Sequence, residues 1–154
     1  MKRLEKIITY TQYSDIETLE PKDRELIIKA NEASLSSYSP YSQFRVGAAL
    51  RLGNGEIIQS SNQENAAYPS GLCAERVGLF YAGTKTDNVE VIAIVGVDKD
   101  NQYKPAYPCG ACLAVMLEME KRMEKPLRVI VQTNENCFEV FQGVNSLIPF
   151  SFDI

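Results

Sequence analysis

The feature that most restricts the fold of this chain is a pair of short cysteine clusters lying far apart in sequence: Cys73-Ala74-Glu75-Arg76 and Pro108-Cys109-Gly110-Ala111-Cys112. Each cluster opens a stretch of helical character. LCAERVGLFYAG reads as a buried helix. PCGACLAVMLEMEKRME reads as a second, with Pro108 near its start and Cys112, Val115, Met116 and Met119 along one side. Cys109 and Cys112 are three residues apart, so their side chains share one helix face. A helix N-terminus favours a thiolate over a thiol, which readies a cysteine there as a metal ligand. Were the two helix starts to meet over a sheet, three thiolates would converge and leave a fourth tetrahedral position open.

The rest of the chain supplies such a sheet. Residues 22–36 follow Pro21, a favoured first-turn residue, and place Leu26, Ile27, Ala30, Ala33 and Ser34 at helical spacing. SSYSPYSQ is a loop rich in turn formers. FRVGAALRL and EIIQSSN flank Asn54-Gly55, a strong hairpin signal, so 44–52 and 56–62 are expected as antiparallel strands. VEVIAIVGVD at 89–98 is β-branched and almost wholly apolar, the pattern of a central strand covered on both faces. LRVIVQT at 127–133 and a weaker strand near 137–142 follow the last helix. The order helix, hairpin, helix, strand, helix, strand predicts a mixed sheet with helices on its faces. One domain over 1–154 is expected, with 1–20 as a less ordered extension.

Charge and composition narrow the function. Sixteen basic residues against twenty acidic ones give a net charge of −4. The densest basic cluster, EKRMEK at 120–125, is interleaved with glutamate, as on a solvated helix face. No basic stripe suits a polynucleotide backbone, so a small-molecule substrate and no nucleic-acid partner are expected. No apolar run reaches the ~18–20 residues of a bilayer span, so no membrane partner is expected. The first residues, MKRLEKIITYTQYSDIE, lack an apolar stretch of signal-peptide length, and the expected location is cytoplasmic.

Histidine is absent, so a transition-metal site has to use Cys, Asp or Glu. Three protein ligands with one open position is the arrangement of catalytic zinc, whereas structural zinc usually has four. Cys73, Cys109 and Cys112 are the candidate zinc ligands, one ion per chain. Glu75, two residues after Cys73, is placed to move protons without binding the metal. Three-cysteine zinc, a nearby glutamate and a P-C-x-x-C pair together mark the zinc deaminases of cytosine and adenine bases. In that chemistry Glu75 passes protons to a ring nitrogen and then to the departing ammonia. Three thiolates make an electron-rich metal, and Arg76, three residues from Cys73, is a candidate to draw off that charge by hydrogen bonding to sulfur. Cys137 fits no ligand spacing and reads as a core thiol. A thiol-redox protein and a noncatalytic zinc module are the readings from other classes.

Two further segments, Ser39-Pro-Tyr-Ser-Gln-Phe-Arg-Val-Gly-Ala-Ala49 and Asn62-Gln-Glu-Asn-Ala-Ala-Tyr-Pro69, extend the pattern. With them, the stretch from Pro40 to Phe152 resembles the small homotetrameric cytidine deaminases. The resemblance implies a three-layer α/β/α fold with a mixed central sheet, and deamination of cytidine and deoxycytidine to uridine and deoxyuridine in pyrimidine salvage. It implies that Asn62 and Glu64 bind the ribose hydroxyls and that Phe44 packs on the nucleoside. Main-chain groups of Ala74 and Tyr107 would contact the base and its amino group. Phe152 would reach into a neighbouring subunit's site, as in a homotetramer with sites at subunit interfaces. The chain departs from the family in having Leu113-Ala114 in place of Arg-Gln and Tyr107 in place of a small hydroxyl residue. It also stops two residues after Phe152. A modified cytosine nucleoside, such as a nucleoside antibiotic, is the alternative substrate.

Overall fold

Strands β2 (Arg45–Leu52) and β4 (Val89–Val97) pair antiparallel along their length and form the middle of a seven-stranded sheet. The computed structural model describes residues 1–86 and 88–151. β3 (Ile57–Ser61) closes one edge by a hairpin with β2. On the other side β6 (Arg128–Asn134) runs parallel to β4, followed by β7 (Cys137–Phe141) and β1 (Thr11–Tyr13). The order is β1-β7-β6-β4-β2-β3, with the two-residue β5 (Tyr103–Lys104) paired to β4. Three helices complete the fold: α1 (Pro21–Ser34), α2 (Ala74–Gly83) and α3 (Gly110–Met123).

Alternation along the strands sorts the core into two layers. Ile92 and Ile94 of β4 join Leu50, Leu79, Met116, Met119 and Val131 under α2 and α3. Val91, Ala93 and Val95 point the other way and pack with Leu26, Ile27 and Ala30 of α1. The observed arrangement is thus the expected α/β/α one with a mixed sheet. β4 is buried at every position but Glu90, which is why its sequence reads as a nearly unbroken apolar run. α1 approaches β2 so closely that a Cβ on Gly47 would lie 1.9 Å from the Ala30 carbonyl oxygen and 2.5 Å from the Ser34 nitrogen.

Strand direction positions the helices. β2 is antiparallel to both β3 and β4, so β3 and β4 run the same way, and β6 runs with them. α2 connects β3 to β4 and α3 connects β4 to β6, each step moving across the sheet in the same sense. Crossovers between parallel strands are right-handed, so two steps in one sense put both helices on one face with both N-termini at the same end of the sheet.

Three details go beyond what the sequence pattern showed. The hairpin at Asn54-Gly55 is a three-residue loop: Gly55 donates to the Leu52 carbonyl, Leu52 donates to that of Glu56, and Gly55 alone takes the left-handed conformation, at φ 87°. β1 lies within the segment expected to be less ordered, and it pairs with β7. A buried ion cluster ties the first turn of α1 to two strands. Asp23 there accepts from Arg51 of β2 at 3.2 Å and from Arg128 of β6 at 2.7 Å. The sequence hid this cluster because its members lie far apart along the chain.

Replacing Gly47 by alanine is expected to lower stability by about 3 kcal/mol, because main-chain atoms of α1 cannot yield to the new methyl group. Asp23→Asn removes the charge facing two arginines and is expected to cost about 2 kcal/mol. Urea unfolding of each variant, with the denaturant slope retained, checks both values.

Candidate active site

Cys73 is the N-cap residue of α2 and Cys109 that of α3, and neither side chain caps its own helix by a hydrogen bond. Serine, threonine, asparagine or aspartate stabilises a helix start far better. Cysteine at both positions therefore gives up local stability, and it leaves both sulfurs at the positive ends of two helix dipoles. Cys112 lies in the first turn of α3 and is fully buried. The three sulfur atoms all lie within 4.8 Å of one another. Sγ of Cys73 is 3.8 Å from that of Cys109, which is 3.5 Å from that of Cys112. These are non-bonded separations, since a disulfide is about 2.05 Å. They match the edge of about 3.8 Å that follows from tetrahedral thiolates about 2.3 Å from a zinc ion. The donor set therefore fits zinc.

The electrostatics of the three thiols are unequal. The Cys73 thiol is pulled down to about 5, first because the Cys112 thiol hydrogen-bonds to it and then because Arg76 faces it, against the cost of burial. Cys112 is pushed far upward by its hydrogen bond to Cys73 and by burial. Arg76 Nη2 lies 3.9 Å from Cys73 Sγ, the contact expected from their spacing, and its Nε is buried without a partner.

Glu75 is 4% exposed, an unusual depth for a carboxylate. Burial pushes it up to about 7, and the negative Cys73 beside it pushes the same way, while its own main-chain amide and then the Cys112 thiol oppose both. A group balanced near neutrality both accepts and releases protons readily. The start of α2 is itself anchored: Ser60 Oγ donates to the carbonyl of Ala74 at 2.9 Å, which fixes the residue between Cys73 and Glu75 against β3.

A cavity of about 450 Å³ opens beside Cys73 and Arg76, lined also by Tyr41, Ser42, Asn62, Glu64, Tyr68 and Leu72. Asn62 and Glu64 thus share one wall. The Glu64 carboxylate accepts from the main-chain nitrogens of Tyr41 at 2.9 Å and Ser42 at 3.2 Å. Its acidity is increased by Ser42 and by these amides. Asn62 works mainly as a brace: Oδ1 accepts from Ser37 Oγ and the Val46 nitrogen, and Nδ2 donates to the Phe44 carbonyl. Phe44, Ala74 and Tyr107 are not among the residues lining this cavity. The Phe44 ring lies against Gly96 of β4, where an added Cβ would come 2.8 Å from Phe44 Cζ. Tyr107 precedes Pro108 and donates its hydroxyl to Glu139 at 2.6 Å, and burial together with Glu139 raises its phenol. Leu113 is buried in the core under α2 and α3, whereas Ala114 lies on the outer side of α3. Cys137 is half-buried and is not one of the three clustered sulfurs. Phe152 lies outside the described residues.

Tyr41, Ser42 and Tyr68 belong to segments singled out in the sequence, but their place on the cavity wall required the fold. Glu139 was not anticipated at all. Its signal was an acid alternating with Phe138 and Val140 on a strand, which local pattern alone reads as a solvent-facing position.

Comparison with known proteins agrees with this geometry. Residues 20–125 match the family model described as the cytidine and deoxycytidylate deaminase zinc-binding region. The cytidine deaminase of Halalkalibacterium halodurans is 44% identical over 99 residues, spanning 63% of this chain and 72% of that protein. The cytidine deaminase of Mycobacterium tuberculosis (strain H37Rv) is 34% identical over 102 residues, spanning 64% and 74%. Among solved structures, cytidine deaminase from Burkholderia pseudomallei superimposes with a TM-score of 0.72 at 36% identity, covering 83% of this chain and 97% of that one. Fold, cysteine geometry and sequence similarity lead to one conclusion: the chain belongs to the cytidine and deoxycytidylate deaminase family.

Proposed function

We propose that this protein hydrolyses the exocyclic amine of cytidine and deoxycytidine, giving uridine or deoxyuridine and ammonia, in pyrimidine nucleoside salvage. The observation that carries the reading is the buried Glu75 beside three converging cysteine sulfurs, next to a cavity of nucleoside size. Cys73, Cys109 and Cys112 would hold one zinc ion, which acidifies water and so supplies a nucleophile near neutral pH.

Glu75 is the proton carrier. It takes one proton from the attacking water and gives it to the ring nitrogen next to carbon 4, where it remains in the product. It takes the second as the carbon–oxygen bond becomes a carbonyl, and delivers it to the amine as the carbon–nitrogen bond breaks. One water is consumed and one ammonia leaves. Burial of Glu75 serves both transfers, since desolvation raises its proton affinity until both protonation states are well populated near neutral pH. Arg76 holds positive charge against Cys73 and offsets the thiolates.

Ribose recognition falls to Glu64 and Asn62. A carboxylate has about four acceptor sites, and the two main-chain donors at Glu64 together with the Ser42 side chain leave capacity for a sugar hydroxyl. The Asn62 amide has two hydrogens and gives one to Phe44, so the other is available to an acceptor. Main-chain groups of Ala74 and Tyr107 contact the base in this reading, and Phe44 flanks the nucleoside. A homotetramer in which Phe152 of one subunit completes a neighbour's site is part of the same proposal. No helix among the described residues is long and apolar enough to cross a membrane.

The direct test is ammonia release from cytidine, with zinc content measured on the same samples. Glu75→Gln is expected to lose at least about 10²–10⁴-fold in kcat while keeping its zinc. Cys112→Ala should lose zinc and turnover together. Glu75→Gln with full activity, or a parent chain inactive on both nucleosides, overturns the reading. Glu64→Gln is expected to raise KM for cytidine about tenfold or more with a smaller change in kcat, because it weakens binding shared by ground and transition states. Steady-state kinetics on cytidine and deoxycytidine measure that split.

A further inference from the structure

Between β5 and α3 the chain passes through Pro105-Ala106-Tyr107-Pro108 before reaching Cys109. Neither proline has an amide hydrogen to tie this loop to the sheet. Side chains do so instead. The Tyr107 hydroxyl donates to Glu139 Oε2 at 2.6 Å, and its ring meets Phe141 edge-on with centroids 6.4 Å apart. Tyr107 as a residue is 48% exposed, yet its hydroxyl ends on an acid that is only 7% exposed.

Glu139 sits on β7 between Phe138 and Val140, which point to the α1 face, so it projects with Phe141 toward the face carrying α2 and α3. Its other oxygen accepts from Gln12 Nε2 of β1 at 3.3 Å. Tyr10, just before β1, stacks on Phe141 at 5.1 Å. A buried carboxylate is costly unless hydrogen-bonded, and an apolar residue packs such a position at lower cost. The acid therefore has a use beyond packing, and the group it holds most tightly is Tyr107.

We infer that the Tyr107–Glu139 hydrogen bond is a positioning device for the metal-binding loop, backed by Gln12 of β1. The phenol spans from the loop to β7 and so fixes main chain two residues before Cys109. The direction of the Cys109 thiol and of the Tyr107 carbonyl follows from that anchor. The Tyr107 side chain is thus a positioning group: it acts through the backbone, and only the main-chain carbonyl of Tyr107 faces the substrate in the proposed reading. This inference rests on the reading of Cys109 as a zinc ligand.

The test measures transfer of zinc from the loaded protein to a chromophoric chelator, alongside kcat and KM for cytidine, at a temperature where every variant is folded by circular dichroism. Tyr107→Phe keeps the ring against Phe141 and removes only the hydroxyl. It is expected to release zinc about tenfold faster than the parent, and Glu139→Leu to match it. Glu139→Gln still offers an oxygen to the phenol and should stay within about twofold of the parent. The double variant Tyr107→Phe/Glu139→Leu should release zinc no faster than either single one, because both remove the same bond. Release at the parent rate from Tyr107→Phe, or loss in Glu139→Gln equal to that in Glu139→Leu, overturns the inference. A parent that binds no zinc overturns the metal-site reading and this inference with it. A zinc-loaded parent beside an unaffected Tyr107→Phe variant overturns the positioning role alone.

Discussion

The site depends on two helices beginning side by side at one end of the sheet. A helix start carries unpaired amide hydrogens and a partial positive charge, and a single start stabilises one thiolate modestly. Here two starts are brought together, and Cys73 and Cys109 each occupy an N-cap. The cause is topological. β3, β4 and β6 run in one direction, and the crossovers through α2 and α3 step across the sheet in the same sense. Same-handed crossovers in the same sense place both helices on one face. The site lies beyond the carboxyl ends of β3, β4 and β6, as ligand sites generally lie beyond the carboxyl ends of parallel strands in open α/β sheets.

Much of the remaining structure keeps that juxtaposition rigid. Ser60 ties the first residue of α2 to β3, and a Cβ on Gly78 would come 2.5 Å from Leu50 Cδ1, so α2 lies close on the sheet. α1 presses on the opposite face through Gly47, and Asp23 locks its first turn to β2 and β6. The functional groups themselves oppose stability. Cysteines replace good capping residues, and Glu75 and Glu139 are carboxylates inside the protein. Each of the two acids is balanced by specific neighbours, Glu75 by the Cys112 thiol and Glu139 by Tyr107 and Gln12.

The elements that sequence reading located best are those whose local pattern and tertiary role agree. The apolar run 89–98 became the buried central strand, and the 3.6-residue spacing of Leu26, Ile27, Ala30 and Ala33 became the inward face of α1. Local pattern says least where the deciding partner is distant. β1 is three residues long and exists because β7 offers an edge, so the N-terminal segment carries too weak a local signal to reveal it. Asn54-Gly55 marked the hairpin between β2 and β3, and the fold adds that Gly55 takes the left-handed conformation in its loop. Asn62 lines the cavity and also braces Ser37, Phe44 and Val46, a set of partners that only the fold brings together.

The sequence by itself determined which residues are candidates for the proposed chemistry. With no histidine in the chain, three cysteines at two helix starts and a glutamate two residues after one of them restrict the candidate metal, its candidate ligands and the candidate proton carrier. Those are properties of residue type and short spacing, which survive without knowledge of the fold. Tertiary structure alone decided the surroundings of that chemistry: the 3.5–3.8 Å separations of the sulfurs, the burial that raises Glu75, and the wall formed by Tyr41, Glu64 and Tyr68. It also decided that Glu139 of β7 would hold the loop before Cys109. Distances, desolvation and long-range hydrogen bonds depend on which strands become neighbours, and that is set by the packing of the whole sheet rather than by any local run of residues.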